Sequence, residues 1–226
     1  MSDSGLDKLY PFLHHGRQDR ASLEAALRHS VAVKAQESRE ASTRFFRQQG
    51  DRLVAAATAL ADMWRAGGRL FAMGNGGSSC DAAHITVEFL HPITAGRPAL
   101  PVVSLGADLA MISAVGNDVG FDQIFARQLI AQSHAGDGLI GFSTSGNSAN
   151  LMAAFAVAKK RGLTTFGFAG GDGGRMSSAG VVDHCLVVET SSVHRVQECH
   201  VAGYHILWDL VHTLLADARG PAGGAQ

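Results

Sequence analysis

From residue 69 onward the chain alternates short apolar runs with longer stretches of helical periodicity. The apolar runs are Arg69–Gly74, Leu100–Leu105, Asp137–Ser143, Leu163–Phe168 and Val181–Val188. Each is strand-length, and several end in glycine or serine. Helix-favouring segments lie between them, the clearest being Asn150–Arg161, and a last one spans Val193–Ala218. Strands without polar alternation belong in a parallel sheet covered on both faces. The pattern therefore predicts an α/β protein with a doubly wound parallel sheet of about five strands flanked by helices. Ahead of the sheet, two helices are expected. One covers Ser22–Gln49, and the second runs from Asp51 to Ala66 with Leu53, Ala57, Leu60 and Trp64 at helical spacing and Gly67-Gly68 as its stop.

The expected organisation is a polar leader or arm over residues 1–20, a single domain with N-terminal helices over 21–218, and a flexible Gly/Pro/Ala tail over 219–226. No internal repeat and no linker interrupts residues 50–218.

Composition narrows the function classes. Hydrophobic residues make up 46% of the 226 and charged residues 17%, with a net charge of −1. That balance gives no basis for attraction to nucleic acid or acidic lipid, and so little charge on so apolar a chain favours an oligomer. The three cysteines form no CxxC pair, which excludes a disulfide framework and suggests a reducing compartment. The N-terminus has no basic region ahead of an apolar core, and no run reaches the length of a membrane span. A cytoplasmic protein with no membrane partner is expected.

Ligands of open parallel sheets bind at the carboxyl ends of the strands, and two loops there carry candidate chemistry. Gly74-Asn75-Gly76-Gly77-Ser78-Ser79 follows the first strand, and its glycines let backbone N–H groups approach an anion at a helix start. It is neither a dinucleotide fingerprint nor a Walker loop. Ser143-Thr144-Ser145-Gly146-Asn147-Ser148 follows the third strand. Its four hydroxyls exceed what one helix cap uses, so the loop reads as a phosphate cradle without a basic side chain. His84 and Glu88 are spaced i, i+4 on the helix that opens at the first loop. Imidazole with carboxylate suits zinc, although such a pair also serves as a plain surface hydrogen bond. The last helix carries His194, Gln197, Glu198, His200, His205 and His212. Gln197 and His205 stand about 12 Å apart along a straight helix, so both reach one ion only with extended side chains, a bend or a shared site. His212 is expected to be an ordinary buried or surface histidine. Asn117-Asp118, flanked by Gly116 and Gly120, reads on its own as an Asn-Asp turn.

This set of motifs, in this order, together with Arg195-Val196-Gln197-Glu198, resembles the bacterial phosphoheptose isomerases, which are sugar-isomerase (SIS) domain proteins. The resemblance covers roughly residues 40–217. It implies that Asn75, Gly76 and Gly77 contact substrate, and that Asn117 and Asp118 contact the sugar. Ser143, Thr144, Ser145 and Ser148 would hold the phosphate, and His84, Glu88, Gln197 and His205 would surround one zinc ion per subunit. It also implies a homotetramer with active sites at subunit contacts. Two features depart from the family pattern: the long leader before residue 40, and His194 where some members carry an acid.

The implied reaction is aldose–ketose isomerisation of sedoheptulose 7-phosphate through an enediolate, for bacterial heptose biosynthesis. Glu88 is the expected base at C1/C2 and His205 its acid/base partner. Tight zinc binding would weaken a carboxylate as a base, so coordination loosens with substrate or zinc is mainly structural; the sequence allows both. Two alternatives stay open: a non-enzymatic SIS protein that binds a replication initiator, and an SIS isomerase of another sugar phosphate.

Overall fold

A computed structural model describes residues 20–217. The expected leader, but for Arg20, and the whole of the expected tail lie outside that range. The described residues fall into two compact units that divide between Glu40 and Ala41.

One helix, α1 (Arg20–Arg65), contributes to both units. The two expected N-terminal helices are therefore one, and Gly50 does not break it. An interior glycine costs a helix about 1 kcal/mol, and packing outweighs that here. Ala41, Phe45, Gln49, Leu53, Ala57, Leu60 and Trp64 are all buried, so a continuous buried stripe, apolar but for Gln49, passes Gly50. From Arg20 to Glu40 no residue is buried. Side-chain pairs at helical spacing support this part, including Arg20–Glu24 at 3.2 Å and Gln36–Glu40 at 2.7 Å.

In the second unit the sheet comprises β1 (Leu70–Gly74), β2 (Val102–Ser104), β3 (Gly138–Ser143), β4 (Thr164–Gly170) and β5 (His184–Val188). The spatial order is β2-β1-β3-β4-β5 and every pairing is parallel. The connecting helices are α2 (Gly77–Leu90), α3 (Leu109–Asp118), α4 (Ala126–Gln132), α5 (Ala149–Lys160) and α6 (Gly174–Ser178), and α7 (Val193–Asp217) closes the chain. β5 starts at His184 rather than 181, because Asp183 turns aside. Its carboxylate accepts from the backbone N–H and hydroxyl of Thr165, both at 2.9 Å, and from Lys159 at 2.6 Å.

Alternation along the strands divides the core. Leu70 and Ala72 face one layer with α1, α2 and α7, while Phe71 and Met73 face the other with α3, α4 and α5. β1 and β3 are wholly buried, as their unbroken apolar runs require. Chain order reverses between them, since β2 lies outside β1 while β3, β4 and β5 follow on the opposite side. The crevice at the carboxyl ends of β1 and β3 is the topological switch point of the sheet. Both glycine- and serine-bearing loops open there. No described helix is long and apolar enough to cross a membrane.

Candidate active site

The loops after β1 and β3 are joined directly. Asn75 and Asn150 exchange reciprocal amide hydrogen bonds, each 2.8 Å. Within the second loop, Ser143 Oγ accepts from the Gly146 N–H at 3.1 Å and lies 3.3 Å from Ser148 Oγ. Ser145 Oγ accepts from the Asn147 N–H at 3.3 Å. Ser148 is the N-cap of α5 but makes no capping bond with its side chain, so its hydroxyl is not spent on the helix. Ser143 is buried, Thr144 and Ser148 are half-buried and Ser145 is exposed. The hydroxyls thus gather, from buried to exposed, at a helix start, where N–H groups and the helix dipole favour an anion. Gly146 makes the turn possible. Its φ of +66° is left-handed, and a Cβ there would collide with the Gly173 carbonyl. Asn147 pins the same segment by accepting from the Arg175 N–H at 3.0 Å.

α2 and α7 run side by side in the same direction, and their contacts pair off in sequence. Gln197 lies over Gly77, where a Cβ would strike the Gln197 amide. Two turns further on, His84 meets Tyr204 and His205, and Trp208 then meets Glu88. His84 Nε2 is 3.1 Å from Glu88 Oε1, and the His84 and His205 rings cross edge-to-face at 5.0 Å. His84, Glu88 and His205 each offer one ligand atom, all within 4.8 Å of one another. Two imidazoles and a carboxylate at that spacing fit a borderline divalent cation, with positions left over for substrate oxygens. The side chains of His84 and Glu88 are 43% and 25% exposed, so the cluster opens to solvent.

The structure brings together His84, Glu88 and His205 at one point, and Asn75 and Ser143–Ser148 at another. Gln197 sits over Gly77, two turns of α2 before His84, and does not join the cluster of three. Asn117 and Asp118 are exposed in the last turn of α3, where Asn117 Nδ2 donates to Asp118 Oδ1 at 2.7 Å. They form the end of a helix rather than the turn expected from the residues alone. His212 is buried between Phe89 and Trp208.

Tyr204 and Asp81 were not singled out from sequence, and the buried setting of His200 was not foreseen. The Tyr204 hydroxyl lies 2.6 Å from His84 Nδ1. Burial raises its phenol above the usual tyrosine range, reinforced by the charges of Asp81, Glu88 and Cys80. Asp81, one turn before His84, is buried, and its carboxyl is pushed up to about 6 by burial against the opposing pull of His84. Its Oδ2 lies 4.0 Å from His200 Nδ1. His200 is fully buried, which pushes its imidazole down to about 4 against the opposing pull of the Ala169 backbone carbonyl, which favours the protonated ring. Adjacency to His205 and one-turn spacing from His84 were the available signals for Tyr204 and Asp81.

Trp208 braces Glu88 from behind. Its indole N–H donates to the Glu88 carbonyl at 2.8 Å, one of the four carbonyls that the end of α2 leaves without a helical partner. The Arg97 guanidinium stacks on the indole at 4.3 Å and pairs with Asp209 at 2.6 Å. Trp208→Phe therefore removes one hydrogen bond while keeping an apolar ring. It is expected to lower the unfolding free energy by about 1 kcal/mol, read from urea denaturation.

Comparison with known proteins bears on the fold and the family. The SIS domain family matches residues 35–170. The phosphoheptose isomerase of Chlorobaculum tepidum is 43% identical over 172 residues, covering 75% of this chain and 81% of that protein. That of Thermodesulfovibrio yellowstonii is 38% identical over 193 residues, covering 85% and 91%. The solved phosphoheptose isomerase from Neisseria gonorrhoeae superposes with a TM-score of 0.77 at 34% identity, over 83% of this chain and 99% of that one. The Francisella tularensis structure gives 0.78 at 30% identity, over 82% and 97%. With the sheet order, the switch-point loops and these matches in agreement, the chain belongs to the phosphoheptose isomerase family of SIS-domain proteins.

Proposed function

We propose that the chain interconverts sedoheptulose 7-phosphate and D-glycero-D-manno-heptose 7-phosphate through an enediolate. The observation that carries this reading is the convergence of His84, Glu88 and His205 within 4.8 Å, the first two on α2, which starts from a switch-point loop, and the third on the adjacent α7. An anion cradle at one end and an acid/base cluster at the other suit a substrate whose phosphate is remote from its reacting carbons. Binding energy at the phosphate then orients C1 and C2.

Ser143, Thr144, Ser145 and Ser148 hold the phosphate with loop N–H groups. Asn75, Gly76 and Gly77 contact the sugar from the first loop, and Asn117 and Asp118 complete the sugar contacts. Glu88 carries the proton between C1 and C2, and His205 carries the proton between the two oxygens. A carboxylate has two oxygens, so Glu88 can use one for His84 or a cation and the other for the proton. A zinc ion held by His84, Glu88 and His205, with Gln197 reaching it only across a subunit contact, would polarise the substrate carbonyl and stabilise the developing oxyanion.

The same reading makes the protein a cytoplasmic homotetramer with active sites at subunit contacts and one zinc per subunit. Support comes from the exposed apolar side chains of Val87, Leu90 and Ile93, next to a cluster that is itself open. The binding-module alternative has no use for a converged acid/base pair.

The test is incubation of the purified protein with sedoheptulose 7-phosphate, with and without chelator, while aldose formation is followed. Turnover of the heptulose phosphate, absence of turnover with fructose 6-phosphate, and loss on chelation that zinc restores are the expected results. Turnover of the hexose phosphate alone would overturn the substrate assignment, and chelator-insensitive turnover would overturn the catalytic metal.

A further inference from the structure

We propose that Tyr204 is a positioning residue that selects which nitrogen of His84 faces the cation. The proposal rests on reading His84, Glu88 and His205 as a metal cluster.

An imidazole has two nitrogens, and only one can face the cluster. Which one is available depends on what the other is bonded to. In this structure both are assigned. Nδ1 lies 2.6 Å from the Tyr204 hydroxyl, and Nε2 lies 3.1 Å from Glu88 Oε1. The two rings meet edge-to-face at 5.4 Å. Tyr204 is itself held in place. It is 1% exposed and packs edge-on against Phe142 at 5.8 Å and against the ring of His205 at 4.9 Å. One buried phenol thus contacts two members of the cluster, one by hydrogen bond and one by ring packing.

A hydroxyl suits this place because it both donates and accepts. Without a cation, the phenol donates its proton to Nδ1 while Nε2–H points to Glu88. With a cation on Nε2, the imidazole proton must reside on Nδ1, and the phenol oxygen then accepts it. The contact survives both states, and no ring flip is needed between them. A tyrosine partner is also neutral, so it orients the ring without adding the negative charge that a carboxylate in the same place would bring. Phenylalanine at 204 keeps the packed ring and removes only the oxygen, leaving His84 free to rotate and to mix tautomers.

The experiment compares wild type with Tyr204→Phe by two measurements. The first is nitrogen-15 NMR of metal-free protein labelled at histidine, with the His84 signal assigned by its loss in His84→Gln. Wild type should show a single tautomer with the proton on Nε2, and Tyr204→Phe a mixture of both. The second is zinc affinity by competition with a chromophoric chelator, which should fall by about 10- to 100-fold in Tyr204→Phe. A single, unchanged His84 tautomer in Tyr204→Phe overturns the proposal whatever the affinity does. If wild type binds zinc no better than His84→Gln, the metal reading fails instead, and the tautomer measurement still decides the role of Tyr204.

Discussion

Replacing Glu88 by glutamine will lower turnover of sedoheptulose 7-phosphate about a thousand-fold while leaving its KM within a few-fold. A positioned acid/base group contributes ~10²–10⁴ in rate, and the amide cannot take a proton. The substitution is close to isosteric, and the backbone at this position is held by Trp208 rather than by the carboxylate, so the fold should not change. The amide can still hydrogen-bond His84 Nε2, which lies 3.1 Å from Oε1 in the native protein. The phosphate cradle proposed above lies in the separate loop Ser143–Ser148, which is why KM should hold. A loss confined to kcat marks a group used in the transition state rather than in ground-state binding. Incorporation of solvent deuterium into the sugar should vanish with turnover, because the base is the group that exchanges with water. Zinc content measured alongside separates a lost base from a lost ligand. Turnover within tenfold of wild type, with deuterium incorporation intact, would remove Glu88 from the role assigned to it.

Asp81→Asn will stabilise the metal-free protein at neutral pH, by an amount that vanishes on acidification. Asp81 titrates near 6 in the fold against 3.8 as a free side chain. Between those values the native state holds the extra proton, so this group destabilises the fold increasingly as pH rises through the window. The cost reaches ~3 kcal/mol above pH 6. His200 works in the other direction. Its value near 4 lies below the free value of 6.5, so its contribution is fully present above pH 6.5 and is lost as the pH falls toward 4, again ~3 kcal/mol. In wild type the two slopes oppose each other between pH 4 and 6, and stability there should be nearly flat. Asparagine removes one of them. The gain over wild type should be near zero at pH 4 and approach ~3 kcal/mol at pH 7, and the variant alone should lose stability steeply below pH 6.5. Urea denaturation at a series of pH values reads both curves. Parallel curves for the two proteins would mean that Asp81 is not the buried acid described here.

The sheet was legible in the sequence because burial on both faces removes polar residues from the strands. Five apolar runs became five strands, with ends displaced by a few residues. The displacements have local causes, such as the Asp183 carboxylate binding Thr165 and delaying β5. The loops were legible because glycine and serine clusters at strand ends have few structural uses. Gly50 misled, since its helix cost is local while the buried stripe on either side of it is not. His84 and Glu88 could be paired from i, i+4 spacing. Bringing His205 to them required knowing that α2 and α7 lie side by side, and no spacing within one helix reports that. Tyr204 and Asp81 were missed for the same reason, and His200, named on the last helix, could not be matched to its buried neighbours. Each looks like an ordinary core residue until the opposite helix is in place.

The Asn75–Asn150 pair has a consequence for how the crevice behaves as a mechanical part. Two carboxamides facing each other exchange a donor and an acceptor in both directions, and neither carries a charge. Ionic strength does not screen such a clasp, and no pH at which the protein is folded unmakes it. The separation of the segments after β1 and β3 is thereby set by a neutral gauge, while the titrating groups lie farther along α2 and on α7. Changes of protonation during a reaction cycle can alter charge at the cluster without loosening the jaw that grips the other end of the substrate.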